Sequence, residues 1–291
     1  MISICIPTYN TDCTELLEAL SRELNTINKE IEVLVVDDGS TVYQKRNEKK
    51  CTDFGFRYIA MNGNFGRVST RIRLSKESQH PYLLFIDADM IPAYLNYIKT
   101  YLNNINDQTK AIFGGYSYDF ESFEKNLRYN YGKQREQKAA NLRNKNPYKL
   151  IFSGNMLISK NLFEQTSKIS DNVYGLDLLL GASLKKHNIP ILHINNETYH
   201  HGIDDNKLFL SKIKSGATTL REYYEANIIK ADQNNLIHAY ESLKKYRLNF
   251  IFCNSFLPIG KCLYHILNRY GKPLFFLDWY RLYYFTNPNK S

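Results

Sequence analysis

Short apolar runs alternate with amphipathic stretches over the first 120 residues, and this alternation restricts the fold more than any other feature. The apolar runs have strand length and no polar interruptions, which is typical of strands buried on both faces of a parallel sheet. Strands that alternate with helices predict an α/β fold, with helices flanking a mostly parallel, Rossmann-like sheet. The predicted strands are Ile2–Ile6, Ile31–Val36, Phe56–Ala60, Tyr82–Ile86 and Ala111–Gly115.

Apolar residues at spacings of three and four predict the helices between these strands. One such set is Leu16, Leu17, Leu20 and Leu24, and a second is Ile91, Leu95, Ile98 and Leu102. We therefore expect one helix after the first strand and another that begins close to Ile91.

Three of the predicted strands end in polar segments. These segments are 7–10 (Pro-Thr-Tyr-Asn), 37–40 (Asp-Asp-Gly-Ser) and 87–89 (Asp-Ala-Asp). In an open parallel sheet, ligands bind beyond the carboxyl ends of the strands. We therefore expect the three segments to line one crevice.

Asp87 and Asp89 lie two residues apart at the end of a buried strand, so their carboxylates are expected to point to the same side. Two close carboxylates repel each other unless a cation neutralises them. Hard oxygen ligands suit Mg²⁺ or Mn²⁺, which keep positions open for substrate phosphates. The alternative is a pair of acids at a helix N-terminus ahead of Pro92.

The other two polar features also allow two interpretations. The 37–40 segment suits hydrogen bonding to a nucleobase or ribose, or else a turn that caps a helix. Arg67 and Arg71 are spaced to share one face of a helix that starts after Gly66. That position suits a diphosphate or a base, and the alternative is a pair of solvated charges.

The rest of the chain divides into a continuation of the α/β pattern and a different C-terminal part. Residues 122–147 are basic and rich in tyrosine, with helical character, and we place a boundary after residue 232. The further predicted elements are a strand at Leu150–Ser159, a helix at Tyr174–His187, a strand at Pro190–Ile194, and helices at Asp205–Asn227 and Gln233–Arg247. The predicted domains are thus residues 1–232 and a helical extension, 233–291.

The C-terminal extension is rich in aromatic and basic residues. Residues 246–285 contain thirteen aromatic side chains, and from Lys244 onward eight Lys or Arg stand against one Asp. Aromatic residues mixed with basic ones are typical of a membrane interface. A lid on the domain, or a contact with a second copy in a homo-oligomer, explains them equally well. No recognition motif supports nucleic-acid binding.

The net charge of +9 favours an anionic partner such as phosphate or anionic lipid. The five cysteines are scattered, without the spacing of a disulfide framework or a metal site, which predicts a reducing, cytoplasmic location. The N-terminal residues read as a strand and not as a signal peptide, and no run is apolar for the ~20 residues of a spanning helix.

Six segments together resemble family 2 glycosyltransferases in their order and spacing, over residues 1–219. Bacterial members that assemble surface glycans are the most similar. The segments are ISICIPTYN, VLVVDDGS, NFGRVSTR, PYLLFIDADMIP, SGNMLISKNLF and YGLDLLLGASLKKHNIPILHINNETYHHG. The resemblance implies a GT-A fold, a nucleotide-diphosphate sugar as donor (a UDP-sugar foremost), Mn²⁺ or Mg²⁺, and inversion at the anomeric carbon.

The resemblance also implies roles for particular residues. The nucleotide-sugar site comprises Pro7, Tyr9, Asp38, Arg67, Arg71 and Asp87, and the metal site comprises Asp87, Asp89 and His200. Tyr199, His200 and His201 are consecutive, so the family pattern matches the histidine ligand to His200 but allows a shift to a neighbouring position. Asp177 matches the general base that accepts the proton of the acceptor hydroxyl.

The acceptor side departs from the family pattern. Relatives carry two adjacent acids where this chain has Leu176 and Asp177, and an Asn where it has Ile72.

The function that the resemblance implies is transfer of a sugar to a hydroxyl of a glycan or lipid-linked acceptor in surface-glycan biosynthesis. A non-catalytic nucleotide-sugar-binding subunit is one alternative. A nucleotidyltransferase is the other, although the first strand is not followed by a glycine-rich phosphate loop.

Overall fold

The structure is a computed structural model that describes residues 1–118, 123–167 and 176–287. Its contacts divide the chain into two compact units. Unit 1 comprises Met1–Asp119, Gln137–Asn172 and Leu184–Gly202, and unit 2 comprises Phe120–Glu136, Val173–Ser183 and Ile203–Ser291. The boundary predicted at residue 232 falls inside unit 2, because the helix that ends at Glu225 packs with the C-terminal helices.

Unit 1 is built on a seven-stranded sheet. Its strands are β1 (Ile2–Thr8), β2 (Ile31–Asp37), β3 (Arg57–Ala60), β4 (Tyr82–Ile86), β6 (Ala111–Phe113), β8 (Asn155–Ser159) and β9 (Ile191–His193), whereas β5 (Met90–Pro92), β7 (Tyr116–Ser117) and β10 (Thr198–His200) form a separate three-stranded sheet. The strand order in the large sheet is β3-β2-β1-β4-β8-β6-β9.

The large sheet is parallel except for β8, which runs antiparallel to both of its neighbours. β1 lies between β2 and β4, and Ile2, Ile4 and Ile6 are fully buried in it. Uninterrupted apolar strands of this kind need cover on both faces, which the helices supply. The mostly parallel sheet predicted from the sequence is confirmed.

The helices of unit 1 follow the strands in the expected alternation. They are α1 (Thr14–Leu24), α2 (Gln44–Asp53), α3 (Arg67–Glu77), α4 (Tyr97–Asn103), α6 (Ala140–Arg143) and α7 (Lys160–Thr166). Helix α1 buries Leu16, Leu17 and Leu20, as its spacing predicts. Helix α4 lacks a side-chain cap of its own, and the Glu23 carboxylate accepts hydrogen bonds from the N–H groups of Ile98 (2.8 Å) and Lys99 (2.9 Å) at its first turn.

The helix predicted to begin near Ile91 was wrong in its first half. Residues 90–92 form β5, which pairs antiparallel with β10, and α4 begins only at Tyr97. Leu95, expected on the buried face, is 92% exposed. The pairing partner lies about a hundred residues later in the chain, so local periodicity could not reveal it. Because a strand and not a helix follows Asp89, the alternative of two acids at a helix N-terminus does not apply.

Unit 2 is helical. It contains α5 (Leu127–Tyr131), a π-helical turn (Gly132–Glu136), α9 (Asn206–Glu225), α10 (Asn235–Lys245), α11 (Asn249–Tyr270) and α12 (Leu274–Thr286), and it holds the first part of α8 (Leu176–Lys186). The helices predicted at 205–227 and 233–247 are confirmed within two residues at each end. The prediction for Tyr174 and Gly175 lies outside the described residues.

Aromatic packing forms the core of unit 2. Phe209, Leu267 and Leu277 are buried there, and the rings of Phe256 and Tyr283 stack with their centroids 4.0 Å apart. Helix α11 bends by 62° between Phe256 and Pro258, because proline lacks the amide N–H that would continue the helix. Among the described residues no single helix is long and apolar enough to cross a membrane, and only the two parts of α11 taken together reach that length and hydropathy.

A buried Arg143 and a buried His193 tie α6 to the sheet of unit 1. All five N–H groups of Arg143 donate to neutral acceptors, namely the carbonyls of Lys138 (2.9 Å), Phe113 (3.1 Å), Gly114 (3.0 Å) and Ile194 (2.7 Å) and the Nδ1 atom of His193 (2.9 Å). The Nε2 atom of His193 lies 2.7 Å from the Pro147 carbonyl and donates to it. His193 is therefore held neutral, because its Nδ1 atom must accept.

The His193 environment predicts a loss of stability in mild acid. Burial, together with the charge of Arg143, lowers the pKa of His193 from 6.5 to about 4, despite the bond to Pro147. Between these two values the unfolded chain binds more protons than the folded one, so stability falls as the pH falls. We expect this one group to remove roughly 2–3 kcal/mol between pH 6.5 and pH 4. Urea unfolding across that range measures the loss.

His193→Gln should flatten the pH dependence of the unfolding free energy, because glutamine can accept from Arg143 and does not titrate. His238→Gln is the matched control, since His238 is exposed on α10, and it should keep the parental dependence. An unchanged slope in His193→Gln would contradict the prediction.

Candidate functional site

The carboxyl ends of β1, β2 and β4 meet at one edge of the sheet, because these strands are adjacent and parallel. The loops that follow β1 and β2 are hydrogen-bonded to each other. The Asp38 N–H donates to the Thr8 carbonyl (2.9 Å), the Asn10 N–H donates to Ser40 Oγ (2.8 Å), and Asn10 Oδ1 accepts from the Thr41 N–H (2.8 Å). Two of the three polar strand ends thus form one connected surface.

Asp37 has a structural role. It is fully buried, and its carboxylate accepts from the Ser40 N–H (2.6 Å) and from the Tyr58 hydroxyl (2.5 Å). Burial and the bond to Asp37 both raise the pKa of Tyr58 well above its ordinary range. Of the two interpretations of the 37–40 segment, the turn therefore applies to Asp37.

Asp38 holds the loop that leads into α3. Its Oδ1 accepts from the Phe65 N–H (2.8 Å) and its Oδ2 from the Gly66 N–H (2.7 Å). Gly39 has φ +76°, and a Cβ added there would lie 2.6 Å from the backbone of Gly63, so the two loops pack backbone against backbone. Each carboxylate oxygen keeps a second lone pair, and the role of Asp38 towards a nucleobase stays a prediction.

Asp87 lies between two guanidinium groups from the first two turns of α3. Arg67 donates to Asp87 Oδ2, and Arg71 donates to Asp87 Oδ1 (2.5 Å) and to the Ser153 carbonyl (3.2 Å). The Arg71 side chain is 6% exposed, whereas that of Arg67 is 50% exposed. Burial raises the pKa of Asp87, but the charges of Arg67, Arg71 and His200 outweigh this effect, so the pKa of Asp87 lies below its ordinary value.

The helix predicted to start after Gly66 is confirmed, since α3 begins at Arg67.

A tight turn, and not a continued strand, brings Asp87 and Asp89 to the edge of the sheet. The chain leaves β4 at Ile86, the Asp87 N–H donates to the Gly154 carbonyl (3.1 Å), and the Met90 N–H donates to the Asp87 carbonyl (3.0 Å). A Cβ at Gly154 would overlap the Asp87 carboxylate. The expectation that strand geometry aligns the two acids was therefore wrong.

His200 faces Asp89 through the pairing of β5 with β10. Met90 is paired with His200, the His201 N–H donates to the Asp89 carbonyl (3.0 Å), and His200 Nε2 lies 4.0 Å from Asp89 Oδ2. The rings of Tyr116 and Tyr118 lie 5.7 Å from the imidazole. Of the consecutive residues 199–201, the structure thus places His200 beside the acid.

The described residues contain no group of three His, Cys, Asp or Glu side chains that could hold a metal ion by themselves. Asp89 and His200 nevertheless lie together, and their side chains have chemistry that suits a divalent cation. A Cβ at Gly202 would overlap Asp89 Oδ2, so the glycine leaves space for that carboxylate. Mg²⁺ and Mn²⁺ need few protein ligands when substrate phosphates supply the others. The residues present therefore fit a divalent cation that binds together with a diphosphate.

Asn155 positions the segments around this edge, a role that sequence reasoning missed. Its Oδ1 accepts from the hydroxyls of Tyr97 (2.6 Å) and Tyr101 (2.7 Å), and its Nδ2 donates to the carbonyls of Gly115 (2.7 Å) and Asn196 (3.0 Å). Asn155 is adjacent to Gly154, whose carbonyl accepts from the Asp87 N–H. The only signal was its place in the SGNMLISKNLF segment.

The remaining predicted residues lie on two units. Pro7 and Tyr9 follow the core of β1 in unit 1, and Tyr9 is 45% exposed. Asp177 is the second residue of α8, in unit 2, and is partly buried. Asp171, the nearest preceding acid, lies outside the described residues.

Solved structures share this fold at low sequence identity. TarS from S. aureus matches with a TM-score of 0.52 and 18% identity, over 74% of this chain and 39% of that one. A mannosyltransferase from Pyrobaculum calidifontis, in complex with GDP-Man and Mn²⁺, matches with a TM-score of 0.54 and 13% identity, over 78% of this chain and 64% of that one. This chain thus spans less than two thirds of either protein.

Glucosyl-3-phosphoglycerate synthase from Mycobacterium tuberculosis, in complex with Mn²⁺, UDP and glucosyl-3-phosphoglycerate, matches with a TM-score of 0.51 and 18% identity, over 76% of this chain and 78% of that one. At these identities the likeness is one of fold, and it confirms the predicted GT-A architecture.

No curated protein sequence matches the chain. A family model described as "Glycosyl transferase family 2" matches residues 3–166, which span β1 to α7 and include every predicted site residue except Asp177 and His200. The match covers more than half of the chain, and the chain therefore belongs to glycosyl transferase family 2.

Proposed function

We propose that this chain is an inverting glycosyltransferase that moves a sugar from a nucleotide-diphosphate sugar to a hydroxyl of a glycan or lipid-linked acceptor. The observation that carries the proposal is the cluster at the end of β4. It combines two guanidinium groups, one carboxylate between them, and a carboxylate–imidazole pair that suits a divalent cation. Such a cluster binds a diphosphate and stabilises it as a leaving group.

The charges of the cluster favour a diphosphate. Asp87 neutralises one of the two arginines, and Asp89 is the second acid. Without ligand and with His200 neutral, Arg67 and Arg71 balance Asp87 and Asp89, so a divalent cation makes the site positive enough for the diphosphate. Arg67, half exposed, can reach phosphate oxygens, whereas the buried Arg71 fixes Asp87.

The cation would be held by Asp89 and His200, with Asp87 beside them. When bound, Mn²⁺ or Mg²⁺ supplies Lewis-acid stabilisation of the negative charge that develops on the diphosphate. The neighbours that contain GDP-Man with Mn²⁺, or UDP with Mn²⁺, support this choice of cofactor. Pro7, Tyr9 and Asp38 are our candidates for the nucleoside side, and a UDP-sugar is our first choice of donor.

Transfer itself would be a direct displacement. The acceptor oxygen forms a bond to the anomeric carbon while the bond from that carbon to the diphosphate oxygen breaks, which inverts the centre. Asp177 accepts the proton of the acceptor hydroxyl. Arg67 stabilises the departing nucleoside diphosphate by hydrogen bonds to its oxygens.

We place this reaction in the cytoplasm, in the biosynthesis of surface glycans. All five cysteines are unpaired, and Cys5, Cys13 and Cys51 are buried, which suits a reducing compartment. Burial also raises the pKa of the Cys5 thiol to about 12, so that cysteine is inert and structural.

Asp89→Asn should remove the metal dependence of nucleotide binding and leave the fold intact, because Asp89 lies in a turn at the edge of the sheet. We expect the affinity gain that Mn²⁺ gives to nucleoside diphosphate to fall by at least about 10–100-fold, which is the cost of losing a group that only orients a metal ligand. Calorimetric titrations with and without Mn²⁺ measure it, with Asp53→Asn, an exposed acid on α2, as the matched control. If Asp89→Asn binds nucleoside diphosphate and Mn²⁺ together as tightly as the parent does, the assignment of Asp89 as a metal ligand is wrong.

Asp177→Asn should slow transfer by about 10²–10⁴-fold, the usual contribution of a positioned base, while donor affinity hardly changes. Product formation and donor calorimetry on the same samples separate the two effects. Asp232→Asn, an exposed acid also in unit 2, is the control.

Two outcomes would contradict the role of Asp177. Transfer at the parental rate would make Asp177 structural and leave Asp171 or Glu197 as the base. The second outcome is that the parent and Asp177→Asn both bind the donor, but neither transfers sugar to any of a broad panel of hydroxyl acceptors. That result would favour the non-catalytic binding subunit.

A further inference from the structure

Unit 2 exposes large apolar side chains at the corner between α10 and α11. We call residues 244–251 the α10–α11 corner. Within it Phe250 is 78% exposed, Tyr246 66%, Ile251 59% and Leu248 42%. Single exposed apolar residues are common, but four within six consecutive positions concentrate exposed apolar surface in one segment, and such a concentration marks an interaction site.

The second part of α11 exposes further apolar side chains. Phe256, Leu263 and Leu267 are buried in the core of unit 2, whereas Pro258, Ile259 and Cys262 are exposed. A surface helix usually presents polar residues opposite its buried face. In α11 both faces contain apolar residues, which is why its two parts together reach the hydropathy of a membrane-spanning segment.

The same region is strongly basic. From residue 242 to residue 277 there is no Asp or Glu. The Lys and Arg side chains in this stretch, all exposed, are Lys244, Lys245, Arg247, Lys261, Arg269 and Lys272. Three of them belong to the α10–α11 corner, so three cations and four exposed apolar side chains lie within eight residues.

We propose that unit 2 binds the surface of anionic lipid bilayers through the α10–α11 corner. Phe250 and Ile251 enter the boundary between head groups and acyl chains, and Lys244, Lys245 and Arg247 contact the lipid phosphates. Aromatic and aliphatic side chains flanked by Lys and Arg are the composition that a bilayer interface selects.

Charge complementarity decides between a bilayer and a second copy of this chain. In a two-fold dimer the same patch meets itself, so the three cations of one corner would face the three of the other. An anionic bilayer presents the opposite charge over its whole surface and accepts the apolar side chains as well. The proposal does not rest on sugar transfer, since it needs neither donor nor metal.

Tryptophan fluorescence tests the insertion directly, because the chain contains a single tryptophan, Trp279. In a Trp279→Phe background, Phe250→Trp places the reporter in the α10–α11 corner. With phosphatidylglycerol vesicles we expect a blue shift and quenching by brominated acyl chains, and with phosphatidylcholine vesicles neither. Leu95→Trp in the same background is the matched control, since Leu95 is 92% exposed in unit 1, and it should not respond.

Vesicle co-sedimentation tests the residues. Phe250→Ser combined with Ile251→Ser, and separately Lys244→Glu combined with Lys245→Glu, should each weaken binding to phosphatidylglycerol vesicles at least 10-fold. Leu95→Ser and Lys49→Glu, also exposed, are the controls and should bind like the parent. Circular dichroism confirms that each variant is folded, and calorimetric donor binding, which the substitutions should not alter, keeps this test separate from that of the proposed function.

Three results would overturn the proposal. The first is that the parental protein binds phosphatidylcholine and phosphatidylglycerol vesicles equally tightly, or binds neither kind of vesicle. The second is parental affinity in both corner variants. The third is a dimer in sedimentation velocity that dissociates on Phe250→Ser with Ile251→Ser, which would assign the corner to contact between copies.

Discussion

The ion pairs of Asp87 with Arg67 and Arg71 are the interaction on which the rest of the site depends. A carboxylate at the end of a buried strand is costly unless a cation is within reach, and here two guanidinium groups hold both of its oxygens. Other features place these partners. Asp38 fixes the loop that starts α3, Gly154 leaves room for the carboxylate, and Asn155 holds the neighbouring segments.

This pairing gives the two acids at 87 and 89 different surroundings. Both carboxylate oxygens of Asp87 accept hydrogen bonds from arginines, which holds two guanidinium groups at the edge of the sheet. Asp89 Oδ2 lies 4.0 Å from His200 Nε2, and these are the two side chains that would hold a divalent cation. Two acids two residues apart thus have different partners because a turn, and not a straight strand, carries them.

The parts of this arrangement that depend on local patterns could be predicted from the sequence. Continuous apolar runs indicated β1, β2 and β4, and Gly66 followed by two arginines four residues apart indicated α3. Features set by distant pairing could not be predicted. The strand at 90–92 exists because it pairs with 198–200, and the buried Arg143 donates to segments thirty to fifty residues away. Asp37 and Asp38 look alike in the sequence, and only the structure separates their roles.

Release of nucleoside diphosphate from a panel of nucleotide sugars, in the absence of acceptor, tests the central claim most directly. If the cluster around Asp87 and Asp89 stabilises a departing diphosphate, the protein should slowly hydrolyse at least one member of the panel. The release should require Mn²⁺ or Mg²⁺ and stop when the metal is chelated. A protein that releases no diphosphate from any member, yet forms a nucleotide sugar from a sugar phosphate and a nucleoside triphosphate, would contradict the account.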